Sequence, residues 1–240
     1  VNNPNQNSPL SDLLHLKIPQ FRYGSNLIFG DITLDLMLNG WTGLVGRSGV
    51  GKTTLIRCLS GLERLRMPLR TVLMTQHDQL LPWKTVIENI ILSDVLQRKK
   101  PDYNHAQTLL YMMGLEEHEK MLPQTLSAGM RQRVALARTL YQEADLVLLD
   151  EPFSALDALT REQLYPLIVE ALRGRTVLIV SHDPQEIIRL SHRVYLMSGK
   201  PAQLRCLEYT LYGKTPRFLN QPLVNQYAAD LIEQLHKELP

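Results

Sequence analysis

A chain of 240 residues with 44% hydrophobic and 21% charged content has room for one large α/β domain, or a domain with a subdomain, and is too apolar for general disorder. A formal net charge of +2, with no basic block longer than Arg98-Lys99-Lys100, gives no electrostatic case for nucleic acid, and that run reads as solvated surface. Two distant cysteines, Cys58 and Cys206, argue against both a disulfide framework and a zinc cluster.

The polar stretch 1–12 reads as a flexible tail without the basic start or apolar core of a signal peptide. From 13 to 45 come the β-like runs LLHLKI, LIFGDITLDLML and TGLVG, with Gly40 at a turn. A helix should run from Lys52 to about Ser60, with Gly61 as its stop. TVLMT at 71–75 is a strand. Thr85 and Glu88 form a capping-box pattern ahead of an apolar helix through about Leu96. A second helix spans about Asp102 to Met113 and stops at Gly114. ADLVLLDEP at 144–152 is a buried strand ending in two acids, and TVLIVSHD at 176–183 is another. Asp183, Pro184 and Glu186 supply a cap, a first-turn proline and a capping-box glutamate for the next helix. VYLM at 194–197 is a further strand. The remainder, 201–240, reads as a short tail ending in the helix NQYAADLIEQLHKEL. Strands alternating with helices imply a largely parallel sheet with its ligand site at the strand C-termini. No apolar run approaches the roughly 18–20 residues of a membrane span, so the chain is expected to be cytoplasmic and to reach a membrane only through a partner.

Gly46 to Thr53, GRSGVGKT, fits G-x-x-x-x-G-K-[ST] between an expected strand and an expected helix. Glycines there let backbone N–H groups turn inward around phosphate oxygens. Lys52 adds a point charge for the β- and γ-phosphates, and Thr53 a hydroxyl for Mg²⁺. Asp150 and Glu151, at the end of LVLLDEP, can divide labour: one holds Mg²⁺ through water, the other polarises an attacking water. Gln76 and His182 are bland alone, but each closes a strand beside the phosphate loop. LSAGMRQRVALARTL at 126–140 opens like a second helix N-terminus built to meet an anion.

In order, the phosphate loop, Gln76, LSAGMRQR, LVLLDEP, SALD at 154–157 and His182 resemble the ATP-binding subunit of ATP-binding cassette (ABC) transporters over roughly residues 13–200. The resemblance implies a P-loop NTPase α/β core with a parallel sheet, a reduced antiparallel β-subdomain, and a helical signature subdomain over about 77–142. It implies ATP and Mg²⁺ as ligands, held by Gly46, Arg47, Ser48, Gly49, Val50, Gly51, Lys52, Thr53 and Thr54, with Thr53, Gln76 and Asp150 toward the metal. Glu151 would be the general base, His182 the switch on the γ-phosphate, Gln76 its sensor, and Tyr23 the aromatic stacked on adenine. Two copies would pair head to tail, Ser127, Ala128 and Gly129 of each completing the other's ATP site, with Asp157 in the loop facing the partner. That arrangement would explain why one chain carries two anion-seeking motifs.

Ala128 and Met130 depart from the common LSGGQ. The stretch between Lys52 and Gln76 is short, which predicts the loss of most of an antiparallel arm. Met130 followed by RQR, and QLLPWKTVIENI at 79–90, are similar to importers of the nitrate, sulfonate, taurine and thiamine-precursor group. The implied assembly is a homodimer on a transmembrane permease at the inner membrane face, served indirectly by a periplasmic or lipoprotein solute-binding protein. An exporter-type cassette and a non-hydrolysing ATP-dependent regulator are the alternative readings. In the apolar run Leu80 to Trp83, one reading is packing against the following helix, the other a lip that receives the permease.

Overall fold

The computed structural model describes residues 13–63, 69–211 and 213–237. The tail expected over 1–12, and part of the stretch between Lys52 and Gln76, lie outside them.

Chain order begins with four antiparallel strands in two ribbons. β1 (Leu13–Ile18) pairs β4 (Ile32–Met37), and β2 (Phe21–Tyr23) pairs β3 (Asn26–Phe29). The single β-like run expected over 27–38 is thus two strands, parted at Gly30 and Asp31. A six-stranded sheet follows, in the order β10-β9-β5-β8-β7-β6. Its parallel members are β5 (Trp41–Gly46), β6 (Thr71–Met74), β7 (Leu146–Asp150), β8 (Thr176–Val180) and β9 (Arg193–Ser198). Antiparallel β10 (Gln203–Leu207) closes the edge against β9. The sheet therefore extends past residue 200, into the stretch read as a tail. β10 alternates exposed and covered residues at an edge, a weaker pattern than the all-buried β7 and β8.

Continuous apolar strands have two cores to fill. Leu146, Leu148, Leu178 and Val180 face one core with α1 (Lys52–Leu59) and the β1–β4 ribbon. Val147, Leu149, Val177 and Ile179 face the other, shared with α2 (Val86–Ile90), α4 (Tyr103–Met112) and α5 (Ala128–Tyr141). Among the described residues no strand lies between α1 and β6.

Local signals set most of the helix ends. Thr85 and Glu88 form both bonds of a capping box on α2. Asp102 accepts from His105 N at 3.0 Å to start α4, and Gly114 turns left-handed after it. The helix expected through Leu96 breaks at Ile91, where the bond to Asp94 N is of the tighter i+3 kind, leaving α3 (Leu92–Leu96) as a separate piece. α6 (Ala158–Ala171), absent from the sequence expectation, carries Pro166 in its interior. A proline there removes a backbone donor and weakens the sequence signal for a helix.

Asp183 caps α7 (Pro184–Leu190) as expected. Glu186 does not complete a capping box: its carboxylate turns inward, accepts from Tyr165 Oη at 2.9 Å, and is buried. α8 (Pro222–Lys237) packs against α7, burying Val224, Ala228 and Leu231. No helix among the described residues is long and apolar enough to cross a membrane.

Candidate functional site

Parallel pairing puts the ends of β5, β8, β7 and β6 along one sheet edge, in that order. The residues that follow those strands line one cleft of about 330 Å³: Gly46, Lys52 and Thr53, then His182, Asp150 with Glu151, and Gln76.

The phosphate loop is shaped by two tight approaches. A Cβ at Gly46 would sit 2.4 Å from Met197 O, and Gly51, with φ +119°, would bring one to 2.9 Å from Ile28 Cγ2. Lys52 Nζ donates to Gly46 O at 2.6 Å and Arg47 O at 2.9 Å, so the ammonium is held over the loop by the loop's own carbonyls. Burial pulls the Lys52 pKa down, against the raising pull of Glu151 and Asp150.

Thr53 Oγ1 donates to Asp150 Oδ2 at 3.2 Å. Asp150 is buried, and desolvation raises its pKa against the lowering effects of Thr53 and Lys52. A hydroxyl and a carboxylate beside the glycine-rich loop are the hard oxygen donors that Mg²⁺ prefers, so these residues fit that ion. Glu151 takes a left-handed backbone, φ +54°, and its N–H donates to Val180 O at 2.9 Å. Its carboxylate lies 2.6 Å from Nδ1 of the exposed His182. Burial raises the Glu151 pKa, opposed chiefly by His182.

Other expected residues lie apart from this cleft. Arg47 and Val50 line a neighbouring recess with Met197 to Lys200. Tyr23 is 50% exposed, its ring edge-on to Phe21, and lines a recess with Cys58 and Glu63. It is therefore not a packed core aromatic. Ser127 caps α5, accepting from Met130 N at 3.2 Å, and Ala128 and Gly129 begin that helix. None of the three lines the cleft of its own chain. Leu80 is buried while Trp83 is 72% exposed, so the apolar run is anchored at one end and bare at the other.

Sequence reasoning missed what ties these loops to α5. Gln132 is buried on the inward face of that helix. Its Nε2 donates to Glu151 O at 3.0 Å and Ser154 Oγ at 3.2 Å, and its Oε1 accepts from Ala155 N at 2.7 Å. Arg138 donates to Asp78 O at 2.6 Å and Gln79 O at 2.9 Å, while Arg131 pairs with Asp78 at 3.0 Å. The loop after Glu151 and the loop after Gln76 thus hang on one helix. Arginines and a glutamine among apolar residues were the available signal, but their partners are remote in sequence.

The family model for ABC transporters matches residues 29–154. The chain is 38% identical over 229 residues to an uncharacterized ABC transporter ATP-binding protein of Haemophilus influenzae, covering 90% of this chain and 95% of that one. It is 34% identical to the aliphatic sulfonates import ATP-binding protein SsuB 2 of Pseudomonas syringae pv. tomato, covering 93% and 98%. Identity to SsuB 1 of Rhodococcus jostii is 42%, covering 75% and 76%. A solved dimeric ATP-binding cassette in a post-hydrolysis state, bound to ADP and Pi, shares the fold with a TM-score of 0.70 at 23% identity, over 84% of this chain and 99% of that one.

Proposed function

The chain belongs to the ABC transporter ATP-binding proteins, a family of ATPases, and from that premise we propose that it energises a bacterial importer of a small solute of the nitrate, sulfonate, taurine or thiamine-precursor group. The observation that carries the reading is the single cleft in which the phosphate loop, Gln76, Asp150, Glu151 and His182 converge. The sulfonate-import names of two relatives support the importer type.

In this reading, residues 13–200 are the ATPase domain, with a helical subdomain over about 77–142. The reaction is ATP + H₂O → ADP + phosphate. Backbone N–H groups from Gly46 to Thr54 hold the phosphates, and Lys52 compensates charge on the β- and γ-groups. Thr53, Asp150 and Gln76 would hold Mg²⁺, which supplies charge neutralisation at the phosphoryl oxygens. Glu151 orients the attacking water and takes its proton. His182, now beside Glu151, turns its imidazole to a γ-phosphate oxygen. Tyr23 stacks on the adenine from the hairpin tip.

Ser127, Ala128 and Gly129 act on a second copy's nucleotide in a head-to-tail dimer, consistent with their position outside this chain's own cleft. The exposed Trp83 is the lip offered to a permease.

Steady-state phosphate release from the purified chain tests the enzyme. No release above a Lys52→Ala background would leave only the non-hydrolysing reading. Mixing excess Ser127→Arg with Lys52→Ala tests the composite sites. Mixed dimers then hold one site with both lesions and one with neither, so some activity should return. Mixed dimers that form but stay inactive would contradict the head-to-tail picture.

A further inference from the structure

The segment after β10 is built into the helix that leads away from His182. α7 begins just after that histidine and is one rigid element of two turns. Its C-terminal carbonyls are met by one buried guanidinium, Arg217, which is 2% exposed. Arg217 Nη1 donates to Ile188 O at 2.9 Å and Ser191 O at 2.8 Å, with a longer contact to Arg189 O at 3.4 Å. Its Nη2 donates to Leu211 O at 2.7 Å. The backbones join as well: Arg217 N donates to Arg189 O at 2.9 Å, and Arg189 Nε donates to Arg217 O at 2.7 Å. A helix end has carbonyls without intrahelical donors and a partial negative charge, so a cation with several N–H groups is matched to it.

The same helix is gripped by α6 at three levels. Arg161 pairs with Asp183 at 3.2 Å beside His182, Tyr165 bonds Glu186 in the middle, and Glu162 takes the fork of Arg189 at the far end. α8 packs against α7 as well. α7 is therefore fixed along its length, and at its far end Glu162 holds the Arg189 side chain while Arg217 from the C-terminal segment holds the backbone carbonyls.

We propose that Arg217 is a positioning residue for hydrolysis: by locking the C-terminal end of α7, the C-terminal segment sets where His182 stands relative to Glu151 and the γ-phosphate. This rests on the ATPase reading above. A tilt of α7 displaces the imidazole at its other end, and misplacement by about 1 Å costs up to about a hundredfold in rate. ATP binding, which the phosphate loop supplies from another strand, should hardly change.

The experiment compares ATPase kinetics of the full-length wild type with Arg217→Met and Arg217→Lys. Leu36→Ala, a core truncation in β4, serves as a stability control measured at the same interval below its melting temperature. Arg217→Met should lose roughly tenfold or more in kcat with KM for ATP within about twofold, and Arg217→Lys should recover part of the loss. Leu36→Ala should melt earlier yet keep its kcat. If Arg217→Met fails to fold, Arg217→Gln decides on the same split. A kcat within about twofold of wild type in folded Arg217→Met or Arg217→Gln, or an equal loss in the control, would overturn the proposal. A wild type without ATPase activity would instead fail the underlying reading.

Discussion

Replacing Gln132 by leucine separates what holds the protein together from what aims the loop that carries Glu151. Leucine is of similar size, so the core contacts of α5 survive. What disappears is the donor to Glu151 O and Ser154 Oγ and the acceptor for Ala155 N. Glu151 O is not orphaned, since the Ser154 hydroxyl still donates to it at 3.0 Å. The Ala155 N–H points at the buried Gln132 side chain, so with leucine in that place it loses its acceptor. The stability cost is therefore that of one unsatisfied donor, about 1–3 kcal/mol, with each kcal/mol lowering the melting temperature by about 2–4 °C for a chain of this size. Catalysis should suffer far more. Glu151 sits in a left-handed backbone conformation, which persists only while its surroundings impose it. Freed from α5, the carboxylate shifts, and a shift of about 1 Å costs up to about a hundredfold in kcat. Phosphate release at saturating ATP, read beside a thermal melt, checks both arms. A variant that melts several degrees earlier yet turns over at the wild-type rate would refute a role for Gln132 in placing Glu151.

Trp83→Ala should leave the isolated chain melting within about 1–2 °C of wild type, because the ring is 72% exposed. Affinity for the permease, measured by pull-down titration in detergent, should fall by about 2 kcal/mol or more; normal assembly would move the coupling surface elsewhere. Tyr23→Ala should cost about 1–3 kcal/mol of ATP affinity with little change in turnover at saturation; equal affinity by fluorescent-nucleotide displacement would remove Tyr23 from the site. Glu186, facing Tyr165 and the charges of Asp183 and Glu151, has its pKa raised by burial from 4.5 to about 7. Across that window the native state keeps a proton that the unfolded chain has lost, so stability falls as pH rises and levels off above it. Glu186→Gln should flatten that slope and be the more stable form near pH 8, by up to about 3 kcal/mol. Parallel melting curves against pH in the two proteins would assign the slope to other groups.

What could be read from sequence was what the chain writes locally. The phosphate loop is contiguous, and Asp150, Glu151 and His182 end strands whose unbroken apolar runs announce burial on both faces. Thr85 with Glu88, and Asp102 ahead of Gly114, mark helix ends within a few residues. What could not be read depends on pairing between distant segments. Gln132 reaches Ala155, Arg138 reaches the backbone after Gln76, and Arg217 reaches the end of α7, and no periodicity reports such contacts. Pro166 obscured α6, and the alternating exposure of β10 obscured an edge strand. Glu186 illustrates a direct competition: its spacing from Asp183 fits a capping box, but Tyr165 Oη offers a buried bond, and tertiary packing prevails over the local motif.

Glu151 is the residue proposed to activate water for ATP hydrolysis in the cleft at the sheet edge. Glu151→Gln keeps the side chain's size and its reach to His182 while removing the proposed base, so phosphate release from Mg-ATP by the purified chain isolates that role. Retained ATP binding, an accumulated ATP-bound dimer and turnover reduced by about a hundredfold or more are expected. Hydrolysis at the wild-type rate would contradict that role.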